Sequence, residues 1–417
     1  MLLPNHLYKV VLVQILLLFL GARDTFAAEH RGRISIEDFY SSDSGSANNR
    51  HLLTSRVHMN STKLNKAESL SFHLDMTARK TISGEESSST LKNERISALN
   101  FEYTGPSDNI YFAMGRLWPK ELFLEHVDGI NLIVQKKKTG IGLFGGAKPD
   151  PYTEEYNSDY RVAGAYLFYN KNKINAHFAM VQNKFKGETD REYVYGKLFW
   201  HLTDKVRFYS TIISDRNQEK KSFDLTNVIA ELTLRPDFKK SLSLGYSRFQ
   251  AFQLFQSMDF EITGSKQESY YMRANRQFLD RYNIYGKYEL QRFSYDIPGS
   301  ERQDSTISQA GFANSKLLGT TVHLDLNGVV TDRHDSRYQT YMLGLSRQLT
   351  EKTRLTLNGS YMLTEYDTTE ERDIQRSYSA YSYFSLNKEW NVTVSYEAIK
   401  GEDYSSRTVV SRLTYKF

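Results

Sequence analysis

The chain has 417 residues, with 54 basic and 49 acidic side chains, a formal net charge of +5 and no cysteine. The absence of cysteine excludes disulfides, thiolate metal sites, a cysteine nucleophile and a lipid-anchored amino-terminal cysteine. The near balance of charge argues against nucleic acid as a partner, because nucleic-acid binding requires a clustered basic face.

The amino-terminal segment has the features of a secretory signal. Lys9 precedes an apolar run of about 11 residues, and small residues follow up to Ala27. We therefore expect residues 1–27 to be a signal peptide that is cleaved after Ala27. The apolar run is shorter than the roughly 20 residues of a membrane-spanning helix. The chain has only 7 prolines and no Pro/Gly/Ser-rich linker, so residues 28–417 are expected to form one continuous architecture.

The remainder of the chain alternates apolar and polar residues with a period of two, which is typical of strands with two different faces. The apolar face is made of the following sets: Leu70, Phe72, Leu74 and Met76; Val194, Leu198, Trp200 and Leu202; Val322, Leu324 and Leu326; Leu355, Leu357, Gly359, Tyr361 and Leu363; and Val392, Val394, Tyr396 and Ala398. The opposite face is charged or polar, with no second apolar layer to bury. This pattern predicts a transmembrane β-barrel with lipid outside and water inside.

The predicted connections alternate between short and long. Tight polar links occur at 170–172, 203–205, 279–281, 350–352 and 387–389, and longer polar segments occur at 80–92, 148–158, 251–266, 295–304 and 365–374. We assign the short links to the periplasmic end and the long ones to the outside. The chain then contains about 18 to 22 antiparallel strands between residues 31 and 417, in an even number that places both termini in the periplasm. Only a few residues precede the first strand, so no amino-terminal plug domain is expected.

One segment fits the alternation poorly. Between residues 117 and 146, Gly140, Gly142, Gly145 and Gly146 weaken the pattern. No Lys-Ser/Thr follows them, so they are not a phosphate-binding loop. We interpret them as a strand kink or bulge.

The last predicted strand ends the chain with apolar and aromatic residues at alternate positions: Val409, Leu413, Tyr415 and Phe417. Together with the signal peptide and the alternating connections, this end resembles that of Gram-negative outer-membrane porin-like β-barrels. The resemblance implies an outer-membrane location in contact with lipid, and insertion by the barrel assembly machinery, which reads the terminal aromatic residue. The alternative for Phe417 is a purely structural anchor at the membrane interface.

The polar face supplies candidate pore-lining residues, and basic side chains predominate among them: Lys197, Arg207, Arg273, Lys287, Glu289, His323, Asp325, Arg354, Glu397 and Arg412. This excess gives the hypothesis of a mild anion preference, and the alternative is a hydrated wall without selectivity. Two His-x-Asp pairs, His73 with Asp75 and His323 with Asp325, place an imidazole and a carboxylate on one face. Two residues do not complete a site, and the sequence gives no catalytic or metal motif and no cofactor.

Three functions stay open at this stage. The first is a passive outer-membrane channel for small solutes or ions. The second is a sheath that holds a partner protein in its lumen, such as a multihaem cytochrome, which this cysteine-free chain cannot itself be. The third is an outer-membrane hydrolase, for which no nucleophile motif exists, so we do not expect an enzyme. A homotrimer and a lumen-filling protein both stay open as assemblies.

Overall fold

The structure of the chain is a computed structural model. It describes residues 28–44, 49–65, 67–83, 94–122, 124–151, 153–216, 221–252, 254, 265–294, 303–367, 369 and 371–417. The predicted signal peptide, residues 1–27, lies outside these ranges. So do parts of the predicted long connections.

The described residues form 22 strands and one short 3-10 turn. The strands are β1 (Glu29–Asp43), β2 (Arg50–Thr62), β3 (Leu70–Ser83), β4 (Glu94–Thr104), β5 (Ile110–Leu117), β6 (Val127–Lys136), β7 (Thr139–Ala147), β8 (Tyr160–Lys171), β9 (Ile174–Phe185), β10 (Glu188–His201), β11 (Val206–Arg216), β12 (Phe223–Asp237), β13 (Lys240–Gln250), β14 (Lys266–Phe278), β15 (Tyr282–Ser294), β16 (Gln303–Asn314), β17 (Val322–Asp332), β18 (Ser336–Thr350), β19 (Thr353–Tyr366), β20 (Arg372–Ser385), β21 (Trp390–Lys400) and β22 (Ser405–Lys416). No helix in the described part of the chain is long and apolar enough to cross a membrane.

The strands form one closed antiparallel sheet. Each strand pairs with the next in sequence, and β1 pairs with β22 from Arg33 opposite Lys416 to Asp43 opposite Ser406. Closure leaves no edge strand, so backbone hydrogen bonds join neighbouring strands all around the barrel, as a solvent without water requires. The predicted all-β barrel is confirmed, at the upper end of the expected strand number.

The start of β1 and the end of β22 lie at one end of the barrel, which we call the terminal end. Every predicted short link lies there, and every predicted long connection lies at the opposite end. Several connections depart from this rule. At the opposite end the β9–β10 turn has only two residues, Lys186 and Gly187, and the β17–β18 connection is residues 333–335. At the terminal end the β2–β3 and β16–β17 connections span residues 63–69 and 315–321.

The outer face of the barrel is apolar. On β7, Ile141 and Leu143 point outward and are 56% and 54% exposed, while their neighbours Gly140, Gly142 and Phe144 face inward and are buried. Exposed large apolar side chains of this kind occur on strands all around the barrel. In water such a surface would cost about 25 cal/mol for each Å² of apolar area, so lipid is the solvent that it fits.

The glycines of β7 do not form a bulge, so this part of the sequence interpretation was wrong. The strand keeps an uninterrupted register with both β6 and β8. The inward glycines instead make room for rings on β8, because a Cβ at Gly142 would lie 2.1 Å from Tyr166 Cζ, and one at Gly140 would lie 2.5 Å from Phe168 Cζ. Glycine therefore lets an aromatic ring lie flat across the neighbouring strand.

Candidate functional site

The inner wall of β5–β11 is apolar, against the expectation that the lumen has no second apolar layer. The buried cluster on this wall consists of Tyr111, Ala113, Leu117, Leu122, Val127, Ile133, Phe144, Val162, Tyr166, Phe168, Ala179, Val181, Tyr193 and Tyr195. Most of these occupy inward positions of consecutive strands. The prediction of a uniformly polar lumen was therefore wrong for this sector, and the reason is a second layer of chain inside the barrel.

That second layer is the part of the β5–β6 connection that the structure describes, residues 118–122 and 124–126, which we call the lumen loop. It leaves β5 at the opposite end and folds back along the inner wall. Leu122 at its centre is 1% exposed and belongs to the apolar cluster. The β5–β10 sector thus has a small packed core inside the barrel, which holds the loop by apolar burial.

A buried carboxylate fixes the loop near its carboxyl end. Glu125 is 2% exposed and accepts hydrogen bonds at Oε1 from the Tyr193 hydroxyl at 2.8 Å and the Asn183 amide at 3.2 Å. Lys148 Nζ lies 3.2 Å from the other oxygen, Oε2. A charge removed from water needs several such partners, and Glu125 has them only while the loop is packed.

The tip of the loop reaches toward the terminal end. The ring nitrogen Nδ1 of His177 lies 2.9 Å from the backbone oxygen of Glu121, and Asn170 Nδ2 lies 3.3 Å from Glu121 Oε2. Lys120 Nζ lies 4.3 Å from the centre of the Tyr111 ring. The contacts of Glu121 and Glu125 span most of the height of β8–β10, so the loop narrows the lumen over a long stretch.

His126 closes the loop at the opposite end. Its Nε2 lies 2.9 Å from the backbone oxygen of Ser97, and its ring stacks on Trp118 with centres 4.7 Å apart. Burial, reinforced by the positive charge of Arg116, lowers the pKa of His126 below its usual value. Neutral imidazole is therefore the form that the packed loop favours.

The remaining wall, from β12 through β22 to β4, carries most of the charged residues predicted to line a pore. Arg273 lies 3.3 Å from Glu231, and Lys287 pairs with Glu289 on its own strand. Arg412 Nε donates to Glu37 across the β1–β22 seam at 2.8 Å. These basic side chains have acidic partners, which weakens the argument for anion preference that was based on counting them.

The other residues that were predicted to line the pore also lie at inward-facing positions of their strands. Lys197 lies opposite His177 and Thr211, and Arg207 lies opposite His201. Arg354 donates to the Ser346 hydroxyl at 3.0 Å. Glu397 lies opposite Ser379 and Thr408. Within the described residues Lys197, Arg207 and Arg354 form no ion pair, so they are the basic side chains available to a passing anion.

The two His-x-Asp pairs do not form joint sites. Asp75 accepts a bidentate hydrogen bond from Arg56, with 2.9 Å at the shorter contact, and His73 Nε2 lies 3.3 Å from Glu102. Asp325 accepts from the Tyr285 hydroxyl at 3.1 Å. No group of three potential metal ligands occurs among the residues that the structure describes.

Sequence reasoning missed the lumen loop and its anchors, Tyr193, Asn183 and His177. A signal was present. In β6 and β8 the runs Leu132 to Val134 and Tyr166 to Tyr169 are apolar or aromatic on both faces, as in strands covered on both sides. Apolar residues on the inward face require a cover, and the nearest long connection supplies it.

The predicted assembly signal lies at the barrel seam. Val409, Leu413 and Tyr415 share the outward face of β22, and Tyr415 packs against Trp390 with ring centres 4.7 Å apart. Phe417 exchanges backbone hydrogen bonds with Gly32 at 3.0 and 3.1 Å. A Cβ at Gly32 would lie 2.6 Å from the Phe417 ring, so the terminal ring covers this glycine and closes β22 onto β1.

A closed antiparallel barrel with an apolar outer face and an enclosed, largely polar interior defines an integral outer-membrane protein of the porin-like class. The chain resides in the bacterial outer membrane.

No family model matches the chain, and no curated protein matches it. Its backbone is similar to the crystal structures of Pseudomonas aeruginosa OccK9 (OpdG), with 7% identity, coverage of 93% of this chain and 99% of the other, and a TM-score of 0.48. It is also similar to Pseudomonas aeruginosa OccK3 (OpdO), with 10% identity, 96% and 99% coverage and a TM-score of 0.46. Acinetobacter baumannii OccAB4 has 8% identity, 95% and 100% coverage and a TM-score of 0.46.

Proposed function

We propose that the protein is a passive channel that admits small polar solutes or ions across the outer membrane. The observation that carries the proposal is the division of the lumen. The lumen loop packs against β4–β10, whereas the facing wall bears ion pairs whose arginine side chains are about half exposed, Arg273 with Glu231 and Arg412 with Glu37. Barrels of roughly 16 to 18 strands already enclose an aqueous channel, so a 22-stranded barrel has room for both the loop and water.

Single-channel recording in planar bilayers tests this directly. The purified barrel is expected to conduct, and a variant with a loosened lumen loop, Glu125→Gln combined with Tyr193→Phe, is expected to conduct more. The matched control is Tyr209→Phe, an inward tyrosine on β11 with no hydrogen bond to the loop. A folded barrel that carries no ion current in pure form would refute the channel proposal.

A sheath around a partner protein is the second candidate, because part of the uncovered wall is apolar. Ile229 and Phe249 occupy inward register positions on β12 and β13 and are 39% and 51% exposed. Met342 on β18 is a further inward apolar side chain that is exposed. Purification from the native membrane in mild detergent distinguishes the two functions. A stoichiometric partner in a non-conducting complex would favour the sheath, and a conducting barrel without a partner would exclude it.

A further inference from the structure

A groove crosses the lipid-facing surface of β15–β17. Small residues face outward in one row, with Gly286 opposite Ala310 and Ala310 opposite Gly328. Larger side chains border this row, including Ile284, Phe312 and Tyr341. The depression between them has a volume of about 480 Å³. Because the three small residues lie side by side on three neighbouring strands, the groove is an elongated depression in the apolar outer face of the barrel.

Two unpaired arginines adjoin this groove at the terminal end of the barrel. Arg276 on β14 lies directly opposite Ile284, which lines the groove. The Arg281 guanidinium lies 4.9 Å from the centre of the Tyr282 ring, which stacks on Phe312 at 5.9 Å. Both arginines are exposed, and in the described part of the chain neither forms an ion pair. Basic side chains therefore lie beside the groove at the terminal end of the barrel.

The charge around this rim argues against a second barrel as the occupant. Lys136, Lys171 and Arg347 also face outward at the terminal end and are exposed. Two acidic residues at this end, Asp237 and Asp280, are paired with lysines: Asp237 lies 3.6 Å from Lys240 and Asp280 lies 2.7 Å from Lys239. A neighbouring copy of the barrel at the same depth in the membrane would thus place its basic side chains against those of this chain, and like charges repel. A ligand with a negatively charged group and an apolar tail would complement both the two arginines and the apolar groove.

We propose that this surface binds an anionic glycerophospholipid of the inner leaflet, with its phosphate at Arg276 and Arg281 and one acyl chain in the groove beside Ala310. The short connections place the terminal end on the periplasmic side, where the inner leaflet supplies such lipids. Each basic side chain at a membrane surface favours an anionic lipid by about 1 kcal/mol, which is about five-fold in binding. The site is independent of whether the barrel conducts.

Native mass spectrometry of the detergent-solubilised barrel tests the proposal, with palmitoyl-oleoyl phosphatidylglycerol and the matching phosphatidylcholine as probes. We expect one phosphatidylglycerol to be retained at concentrations where phosphatidylcholine is lost. Arg276→Gln and Arg281→Gln should each weaken retention about five-fold. Ala310→Leu should weaken it with both arginines in place, because leucine fills the groove. Soluble glycerol phosphate should not compete, since it lacks the chain.

The controls are Lys184→Gln, a basic residue on the outer face near the opposite end, and Ala165→Leu, an outward alanine on β8 away from the groove. Both should retain phosphatidylglycerol like the parent protein, and the heat-dependent shift in gel mobility reports that each variant is folded. Equal retention of the two lipids would overturn the proposal, as would full retention by all three site variants. A stable oligomer that Ala310→Leu dissociates without changing lipid retention would assign the groove to a second copy instead.

Discussion

The hydroxyl of Tyr193 on β10 donates a 2.8 Å hydrogen bond to the carboxylate of Glu125, which lies 68 positions earlier in the lumen loop. Both side chains are buried. This contact joins the wall of the barrel to the lumen loop, which narrows the lumen. Loss of the contact should therefore release the loop while the sheet stays folded.

Tyr193→Phe should release the loop without unfolding the barrel. Removal of a hydrogen bond to a charged buried group costs about 1.5 to 3 kcal/mol, and Glu125 would keep only Asn183 and Lys148 as partners. We expect larger or more variable single-channel conductance, with an unchanged temperature of barrel unfolding. Asn183→Ala should act in the same direction, whereas Tyr209→Phe should leave the recordings unchanged. An identical conductance in Tyr193→Phe would contradict a gating role for the contact.

Acid should loosen the lumen loop through His126. Its pKa is lowered in the packed loop, chiefly by burial, and a released loop would restore the usual value of about 6.5. The packed state is therefore fully favoured above about pH 6.5 and loses stability as the pH falls below it, because only the released imidazole takes up the proton. Of the charged groups around it, Arg116 opposes protonation, and Asp128 and Glu154 favour it.

The measurement for this prediction is the fluorescence of Trp118, which stacks on His126, recorded together with channel conductance between pH 8 and pH 5. Both should change in the parent protein. His126→Gln keeps an N–H donor for the Ser97 carbonyl but does not titrate, so both signals should become flat over this range. A pH response that persists in this variant would assign the effect to another group.

Gly142→Ala should destabilise the barrel wall. The new Cβ would lie 2.1 Å from Tyr166 Cζ, and overpacking of this kind costs about 1 to 3 kcal/mol. Gly196→Ala is the matched control, because no atom lies within 4 Å of its added Cβ. Urea unfolding in lipid vesicles should move to lower concentration for Gly142→Ala only. Equal midpoints for the two variants would show that the ring of Tyr166 moves aside without cost.

The ion pair at the barrel seam should influence charge selectivity. Glu37 and Arg412 face the lumen and hydrogen-bond to each other. Glu37→Gln should shift the reversal potential in a salt gradient toward anion preference, because it leaves Arg412 uncompensated, and Arg412→Gln should shift it toward cation preference. The outward-facing Lys184→Gln should leave the potential unchanged. Shifts of the same sign in the two seam variants would exclude a local electrostatic effect.

Phe417 should contribute to both closure and cellular assembly, and the two roles separate experimentally. We propose that the barrel assembly machinery reads its ring, as the terminal pattern of the chain implies. Phe417→Ala should then reduce the amount in the outer membrane more than it slows unassisted folding into vesicles. Gly32→Ala, whose added Cβ would lie 2.5 Å from the His58 carbonyl oxygen and 2.6 Å from the Phe417 ring, should impair both equally. If Phe417→Ala reduced the amount in the outer membrane and the unassisted folding into vesicles equally, only the structural role of the ring would be supported.

The alternation of residues in sequence was enough to predict the barrel. In β22, Val409, Leu413 and Tyr415 fall on one face because strand side chains alternate. Strands that each have one apolar face, with no second apolar layer to pack against it, do not form a water-soluble protein. The even strand number and the placement of short and long connections follow from the same reading. These are local properties, and each strand reveals them without reference to its neighbours.

The candidate site was predicted only in part. The inward register of Arg273 and Arg412 follows from alternation, but their acidic partners do not, whereas Lys287 and its partner Glu289 lie two positions apart on one strand. Glu231 and Glu37 lie on other strands, at distances along the chain that a single sequence does not relate. The electrostatic character of the lumen is therefore a product of register between strands.

The sequence by itself determined that this chain has one apolar and one largely polar face per strand, and hence that it closes into a barrel in lipid. Only the tertiary structure decided what occupies the interior. The lumen loop folds inward because strands β5–β10 carry apolar side chains on their inner face and because Glu125 finds Tyr193, Asn183 and Lys148 there. Alternation is set by the geometry of each strand, whereas burial of a loop depends on side chains that meet only after the sheet has closed.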